Sequence, residues 1–258
     1  MTEAHPADAD RKESVAFDRI AGSYDETRGG IERGRQLAGI VADLLPERGP
    51  LLEVGVGTGA VSAGMVELGR DVVGVDLSLP MLAVARDRLP GRVAAADALH
   101  LPVRSAAIAG VCLIHVLHLV ADVPATLAEA ARVLRPGGTL VATGFSAEPV
   151  EGDMYELLDE MFDRVGVSRQ DDDPDLIVRL AAAAGFELVT RRGEPGRPVT
   201  PRIAADMIEA RSMSWTWSVD EGTWAREVEP TVASLRALPD QDRARPGHDP
   251  TILAFHPT

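Results

Sequence analysis

Leu51-Leu52-Glu53-Val54-Gly55-Val56-Gly57-Thr58-Gly59 is the stretch on which the fold turns: strand-forming residues, three glycines at alternate positions, then the helix formers after Ala60. Glycine lets the backbone turn sharply and approach a ligand with no Cβ in the way. A helix starting there presents unpaired N–H groups and the positive end of its dipole. Asp76 closes the next apolar run, Val72-Val73-Gly74-Val75, 21 residues beyond Gly55. A carboxylate at that point can accept hydrogen bonds from both hydroxyls of an adenosine ribose. Loop, strand, helix, strand and acid together point to a nucleoside-containing cofactor. Taken alone, the glycines need only make a tight strand–helix turn; Asp76 in register is what favours the ligand. No Gly-Lys-Ser or Gly-Lys-Thr follows, which disfavours a phosphate loop. The spacing is GxGxG instead of GxGxxG. Glu53 also puts a carboxylate beside the loop, awkward near a pyrophosphate and acceptable near an ammonium or hydroxyl group.

Outward from this loop, apolar runs alternate with helical periodicity. Strands are expected at 51–54, 72–75, 92–96, 109–115, 139–143, 186–190 and 251–256. Helices are expected from Gly30, at 60–68, at 79–89 behind a Ser78 cap, and from Asp122 through Leu134. Two more are expected at 153–164 and from Pro174 to Ala184. Repeated strand–helix–strand order predicts an α/β fold, a mostly parallel sheet flanked by helices on both faces, with ligands at the carboxyl edge of the strands. The expected division is a flexible arm at 1–14, N-terminal helices forming a lid at 15–50, a core at 51–194 and 248–258, and a helical insertion at 195–247. That insertion carries all three tryptophans, and Pro230 is expected to kink or break its last helix.

The composition sets outer limits. A chain of 258 residues, 45% hydrophobic and 26% charged, suits one large folded domain. Forty acidic against 26 basic residues give a net charge of −14, which disfavours nucleic acid and anionic lipid as partners. The single Cys112 excludes an internal disulfide. Residues 1–14 lack the composition of a signal peptide, and no apolar run approaches the roughly 20 residues of a membrane span. A soluble, cytoplasmic protein is the expectation.

With these residues in place, the chain resembles the class I methyltransferases dependent on S-adenosylmethionine. It looks like the small-molecule group that includes the ubiquinone and menaquinone biosynthesis enzymes. Residues 53–59 match the family's first cofactor motif, and Asp76 matches its ribose-binding acid, with Leu77 beside the adenine. Ala96-Asp97-Ala98-Leu99-His100-Leu101-Pro102 matches the next motif, where Asp97 would face the adenine amino group and Ala98 would offer a backbone contact. His115 to Asp122 matches the segment after the fourth strand, and Arg132 to Gly138 matches a helix-to-strand signature. Phe17 to Asp25 matches an N-terminal segment that folds over the cofactor. The resemblance implies a Rossmann-like, seven-stranded sheet whose last strand is antiparallel. It also implies S-adenosylmethionine as cofactor, held by Tyr24, Glu53, Gly55, Val56, Gly57, Gly59, Asp76, Leu77, Asp97, Ala98 and His115.

Methyl transfer requires chiefly that an acceptor atom be aligned with an already activated methyl, so no nucleophilic triad is needed. The acceptor is expected to be a small molecule, apolar or aromatic, methylated on oxygen, nitrogen or carbon. His115 is the candidate for orienting or deprotonating an acceptor hydroxyl, since imidazole suits proton transfer near neutral pH. Packing or capping of strand ends is its competing role, and more so for His118. Tyr24 either covers the cofactor or docks the first helix. His118, Met207, Trp215 and Trp217 are candidate acceptor contacts, although bulky residues at helical spacing also pack a core. No metal-ligand spacing is present: Asp171-Asp172-Asp173 reads as a solvated turn, and His5, His248 and His256 are dispersed. Arg191, Arg192 and Arg197 read as surface. Two other readings stay open, an adenine dinucleotide-dependent oxidoreductase and a non-catalytic cofactor-binding regulatory protein.

Overall fold

Seven strands make one sheet: β1 (Leu51–Val54), β2 (Val72–Asp76), β3 (Val93–Ala95), β4 (Ile108–Ile114), β5 (Leu134–Phe145), β6 (Phe186–Gly193) and β7 (Thr251–Pro257). Their order is β3-β2-β1-β4-β5-β7-β6. Strands β1 to β5 pair in parallel, and β7 lies antiparallel between β5 and β6. The computed structural model describes residues 17–18, 20–22, 24–145, 151–167, 173–193, 199–245 and 250–258. The expected arm at 1–14 lies outside the described residues, as do His5, Asp171, Asp172, Arg197 and His248.

The absence of polar alternation in the central strands β4 and, but for Glu53, β1 has a direct cause: both faces of the sheet are covered there, whereas the edge strand β6 alternates in exposure. Side chains alternate along a strand, so neighbours go to opposite faces. Leu52, Val111, Leu113 and Leu140 join one cluster with Leu127 of α5 (Val123–Val133) and Ile177 of α7 (Pro174–Ala183). Leu51, Cys112, Ile114 and Val141 join the other with Leu37 and Val41 of α2 (Gly30–Ala42), which follows the short α1 (Tyr24–Arg28), and Met65 of α3 (Ala60–Glu67). β4 is buried along its whole length. Ser78 caps α4 (Leu79–Arg88) by accepting from Met81 N, and Asp122 caps α5 by accepting from Ala125 N. Helix α5 ends at Val133, one residue earlier than expected, because Leu134 already pairs with Ile108 in the sheet.

The insertion differs from expectation in two ways. First, α6 (Asp153–Val165), read as part of the core, joins the insertion. Its Met154, Tyr155 and Met161 cluster with Ala204, Ala205 and Ile208 of α8 (Pro201–Glu209) and with Val232 and Leu235 of α9 (Glu229–Ala237). Arg245 fastens this unit by donating from Nε and Nη2 to the two carboxylate oxygens of Asp153, each at 3.0 Å. Second, Pro230 does not break the helix. A helical turn at Glu221–Thr223 runs through a π turn at Trp224–Val228 into α9, and Pro230 occupies its first turn. A proline removes one amide donor, and a widened π turn just upstream accommodates that loss without ending the helix. Among the described residues no helix is long and apolar enough to cross a membrane.

Met161 is fully buried in this second cluster. Met161→Ala is expected to destabilise the protein by about 2–4 kcal/mol through the cavity it leaves. Urea unfolding followed by circular dichroism reads this; an unchanged midpoint would show that the cluster adds nothing to cooperative stability.

Candidate active site

The site forms where the sheet order reverses. β1 and β4 are neighbours, and the connections leaving them diverge, opening a crevice at their carboxyl ends. The turn after β1 is held by backbone bonds: Gly55 N and Val56 N both donate to Val75 O, at 2.8 and 2.9 Å. Gly57 N donates to Asp76 Oδ2 at 2.8 Å, and Ser78 N donates to Asp76 Oδ1 at 2.9 Å. Gly55 takes φ +77° and abuts Val116, so a Cβ there would collide with that side chain. Gly57 takes φ +54°, and a Cβ there would meet no protein atom within 4 Å. The open face of Gly57 is a surface that a ligand can approach as closely as a bare backbone allows. The Gly57 and Ser78 amides bond different Asp76 oxygens and the Leu77 amide also acts on the carboxylate, which keeps acceptor capacity for a further donor. Two vicinal hydroxyls are a chemical match for that pair of acceptors. Burial raises the Asp76 pKa, opposed by the Ser78 and Gly57 amides.

Two chambers open on this edge. The first encloses about 880 Å³ including its mouth and is lined by the glycine turn, Asp76, Leu77, Asp97, Ala98 and Leu99. Leu77 is 46% exposed, an apolar side chain left uncovered at the rim. Asp97 is oriented by an amide, Leu99 N donating to its Oδ1 at 2.8 Å. This apolar and carboxylate-bearing lining, with the bare Gly57 backbone and the paired acceptors of Asp76, fits an adenosine-containing ligand.

The second chamber, about 1370 Å³ with its mouth, runs between the glycine turn and the insertion. Val56, Glu53, Asp25, Arg33, His118, Val199, Met207 and Ser214 contribute to its walls. Phe17, Tyr24, Gly55, Gly57, Ile114, His115 and Leu119 line both chambers and so form their common boundary. His115 reaches this boundary at a cost: its φ is +50°, a region sparsely used by non-glycine residues. Its imidazole occupies room left by Gly144, where a Cβ would lie 2.8 Å from His115 Nδ1.

Glu53 is 3% exposed and accepts a short hydrogen bond from Ser62 Oγ. Burial pushes its pKa up to about 7, with the Ser62 hydrogen bonds opposing and the Asp76 charge adding. The neighbouring Glu53 charge and, above all, burial hold the Cys112 thiol neutral.

Several expected residues stand elsewhere. Gly59 lines neither chamber; it is the left-handed N-cap of α3, and a Cβ there would lie 2.9 Å from Leu89 Cδ1. Its glycine serves helix packing. Trp215 and Trp217 are likewise taken up by ring contacts. Trp215 meets Phe162 edge-on at 5.2 Å, and Trp217 meets Phe17 at 4.9 Å while donating Nε1–H to Arg211 O. Bulk in the insertion went chiefly into its own cluster, and Trp217 acts on the cleft only through Phe17. The structure also brings in Arg88 and Gly144, absent from the expected site, and gives individual contacts to Asp18, Asp25 and Thr58, which the sequence placed in motifs without singling them out. Asp18 and Asp25 had one visible signal, each following an aromatic of the N-terminal motif; Arg88 and Gly144 had none. Among the described residues no group of three or more metal-ligating side chains is placed to hold a metal ion.

Comparison with known proteins agrees with this architecture. Residues 52–142 match the family model of the methyltransferase domain. A nocamycin O-methyltransferase of Saccharothrix syringae is 31% identical over 84% of this chain and 85% of its own. A demethylmenaquinone methyltransferase of Roseiflexus castenholzii is 34% identical over 48% of this chain and 56% of its own. Against several curated relatives the chain spans about three fifths of their length. A crystal structure of an S-adenosylmethionine-dependent methyltransferase from Thermotoga maritima, a possible histamine N-methyltransferase, superposes with TM-score 0.59 at 20% identity, covering 94% and 98% of the two chains. The chain belongs to the class I methyltransferases that depend on S-adenosylmethionine.

The raised Glu53 pKa has a definite sign in stability. Folding favours the neutral carboxyl, so its contribution is complete below pH 4.5 and is lost as the pH rises through about 7. Glu53→Gln keeps a neutral side chain at every pH. Relative to wild type it is therefore expected to gain about 2–3 kcal/mol between pH 5 and pH 8. Urea titrations of the ligand-free proteins at both pH values measure this, and parallel pH dependence in the two would refute it.

Proposed function

We propose that the chain transfers a methyl group from S-adenosylmethionine to an oxygen of a small apolar or aromatic metabolite. The observation that carries this reading is the common wall between the two chambers, where glycine turn, Tyr24 and His115 stand together. The similarity to an O-methyltransferase along most of the chain supports oxygen as the acceptor atom.

When bound, S-adenosylmethionine supplies a methyl group activated on a sulfonium. The first chamber would hold it. Asp76 would accept from the ribose hydroxyls with the acceptor capacity its amide donors leave. Asp97 would face the adenine amino group, the Ala98 backbone would add a contact, and Leu77 would cover the ring, all three lining this chamber. Gly57 would give the methionine portion a bare backbone surface, while Val56 and Glu53 stand on the second-chamber side of the turn. Phe17 and Tyr24 cover the boundary and reduce the access of water to it, which favours the intended acceptor. The second chamber takes the acceptor: Met207 and Val199 give an adaptable apolar wall, and His118 adds a polar group. His115 orients the acceptor hydroxyl and accepts its proton. The strained backbone at His115 supports that role, because such conformations persist where surrounding structure enforces them.

Incubation with methyl-labelled S-adenosylmethionine and a library of hydroxylated aromatic and alicyclic metabolites, read by mass spectrometry, is expected to give labelled O-methyl products. Calorimetry with S-adenosylhomocysteine is expected to show binding, weakened by about 10- to 100-fold in Asp76→Asn. Binding of an adenine dinucleotide in place of S-adenosylhomocysteine would redirect the reading to an oxidoreductase. Binding of S-adenosylhomocysteine without turnover on any acceptor would redirect it to a regulatory protein. His115→Asn, whose side chain tolerates positive φ, is expected to lower kcat by about 100-fold with cofactor affinity little changed. Unchanged turnover would remove His115 as proton acceptor.

A further inference from the structure

The N-terminal segment is fastened at two points, and both lie at the ends of α4. At the first, Ser78 Oγ donates to Asp18 Oδ1 at 2.6 Å, while the same oxygen caps the helix by accepting from Met81 N. At the second, Thr58 Oγ1 donates to Asp25 Oδ1 at 2.8 Å, and Arg88 of the last turn donates from Nη2 to Asp25 Oδ2. Arg88 Nη1 also donates to Thr58 O at 2.9 Å, so one guanidinium ties the N-terminal segment and the glycine turn together. Ten residues of α4 set the two anchors roughly 15 Å apart.

We infer that Asp18, Asp25 and Arg88 are positioning residues that hold Phe17 and Tyr24 across the boundary between the two chambers. The inference rests on the reading of the cleft as a methyl-transfer site. Each anchored carboxylate directly follows one of these aromatics in sequence: Phe17-Asp18 and Tyr24-Asp25. Their rings meet edge to face with centroids 6.2 Å apart, and Trp217 supports Phe17 from the insertion. The Arg88–Asp25 pair is about a quarter exposed on both sides, so it is partly shielded from solvent screening. Its placement gives it a use beyond the pairing itself. Thr58 is a buried member of the glycine turn, and tying its carbonyl and hydroxyl to Arg88 and Asp25 makes the seating of Tyr24 depend on the turn that faces the cofactor.

The test uses the full chain and S-adenosylhomocysteine, with dissociation followed by stopped flow and affinity by calorimetry. Arg88→Met and Asp25→Asn are each expected to speed dissociation about tenfold, the effect of losing a charged hydrogen bond. Arg88→Lys is expected to restore part of it, and the double variant to be no worse than the poorer single one. Arg35→Met, which removes the ion pair of Arg35 with Glu67 away from the cleft, is the control and is expected to leave dissociation unchanged. Where an Arg88→Met protein fails to fold, Asp25→Asn and Arg88→Lys decide. Wild-type dissociation rates in folded variants would overturn the positioning role while leaving the methyltransferase reading intact. Absence of binding by the wild type would instead overturn that reading and this inference with it.

Discussion

The amide of Gly57 meets the carboxylate of Asp76 across the ends of two adjacent parallel strands, and the geometry of the cleft depends on that contact. It requires a backbone that turns back immediately after β1, which the positive φ values at Gly55 and Gly57 supply. The same turn leaves no side chain at Gly55, so Val116, just past the end of β4, packs directly on it. The ends of β1, β2 and β4 are thereby locked in a fixed mutual position before any ligand arrives. Preorganisation of this kind lowers the ordering cost that binding would otherwise incur.

A cleft holding several carboxylates in a chain of net charge −14 needs each of them accounted for. The structure handles them by different means. Asp76 is surrounded by amide donors, Asp97 receives the Leu99 amide, and Asp25 receives Arg88 and Thr58. Glu53, the most deeply placed, has Ser62 alone among the described residues to offset its burial, and its carboxyl shifts toward the neutral form. A positively charged ligand entering above Glu53 would favour its ionised form, so the protonation of Glu53 and the binding of a cation are linked. An anionic pyrophosphate would have the opposite effect. On the proposed reading of the cleft, the buried carboxyl under the turn would favour a cationic cofactor over an anionic one, a selection that glycine spacing alone does not make.

Much of the scaffold was legible because local and global signals coincided. Glycine spacing, the Asp76 register, the Ser78 and Asp122 caps and the apolar runs all point to the same sheet, and the seven strands with an antiparallel last one agree with the family resemblance. Less was legible wherever the outcome depended on which surfaces meet. The periodicity of α6 is that of any amphipathic helix; nothing in it says that its apolar face packs on the insertion instead of the sheet. Trp215 and Trp217 have the size and chemistry of acceptor contacts, but size serves ring packing equally well. Pro230 signals a disturbance without saying that a π turn will absorb it. Arg88 and Gly144 act through distant partners, and a side chain's long-range partner has no local signature.

The division of the cleft follows the division of the chain. The matched methyltransferase domain, residues 52–142, contains most of the first chamber's lining, from Val54 to Ala121. The far wall of the second chamber, Val199, Met207 and Ser214, lies outside it, on a segment with its own hydrophobic cluster. Two clusters that share few packing residues can change independently, since substitutions couple mainly through contact. The glycine turn can therefore stay constant while the insertion is reshaped for a different acceptor. Phe17 and Tyr24 are the exception. They line both chambers, and their anchors Asp18 and Asp25 bond to Ser78 and Thr58 within the matched domain, so the N-terminal segment must satisfy both halves at once. If the second chamber takes the acceptor as proposed, a change of acceptor large enough to move those rings would also act on the glycine turn through Asp25 and Thr58, whereas a change on the insertion side would not.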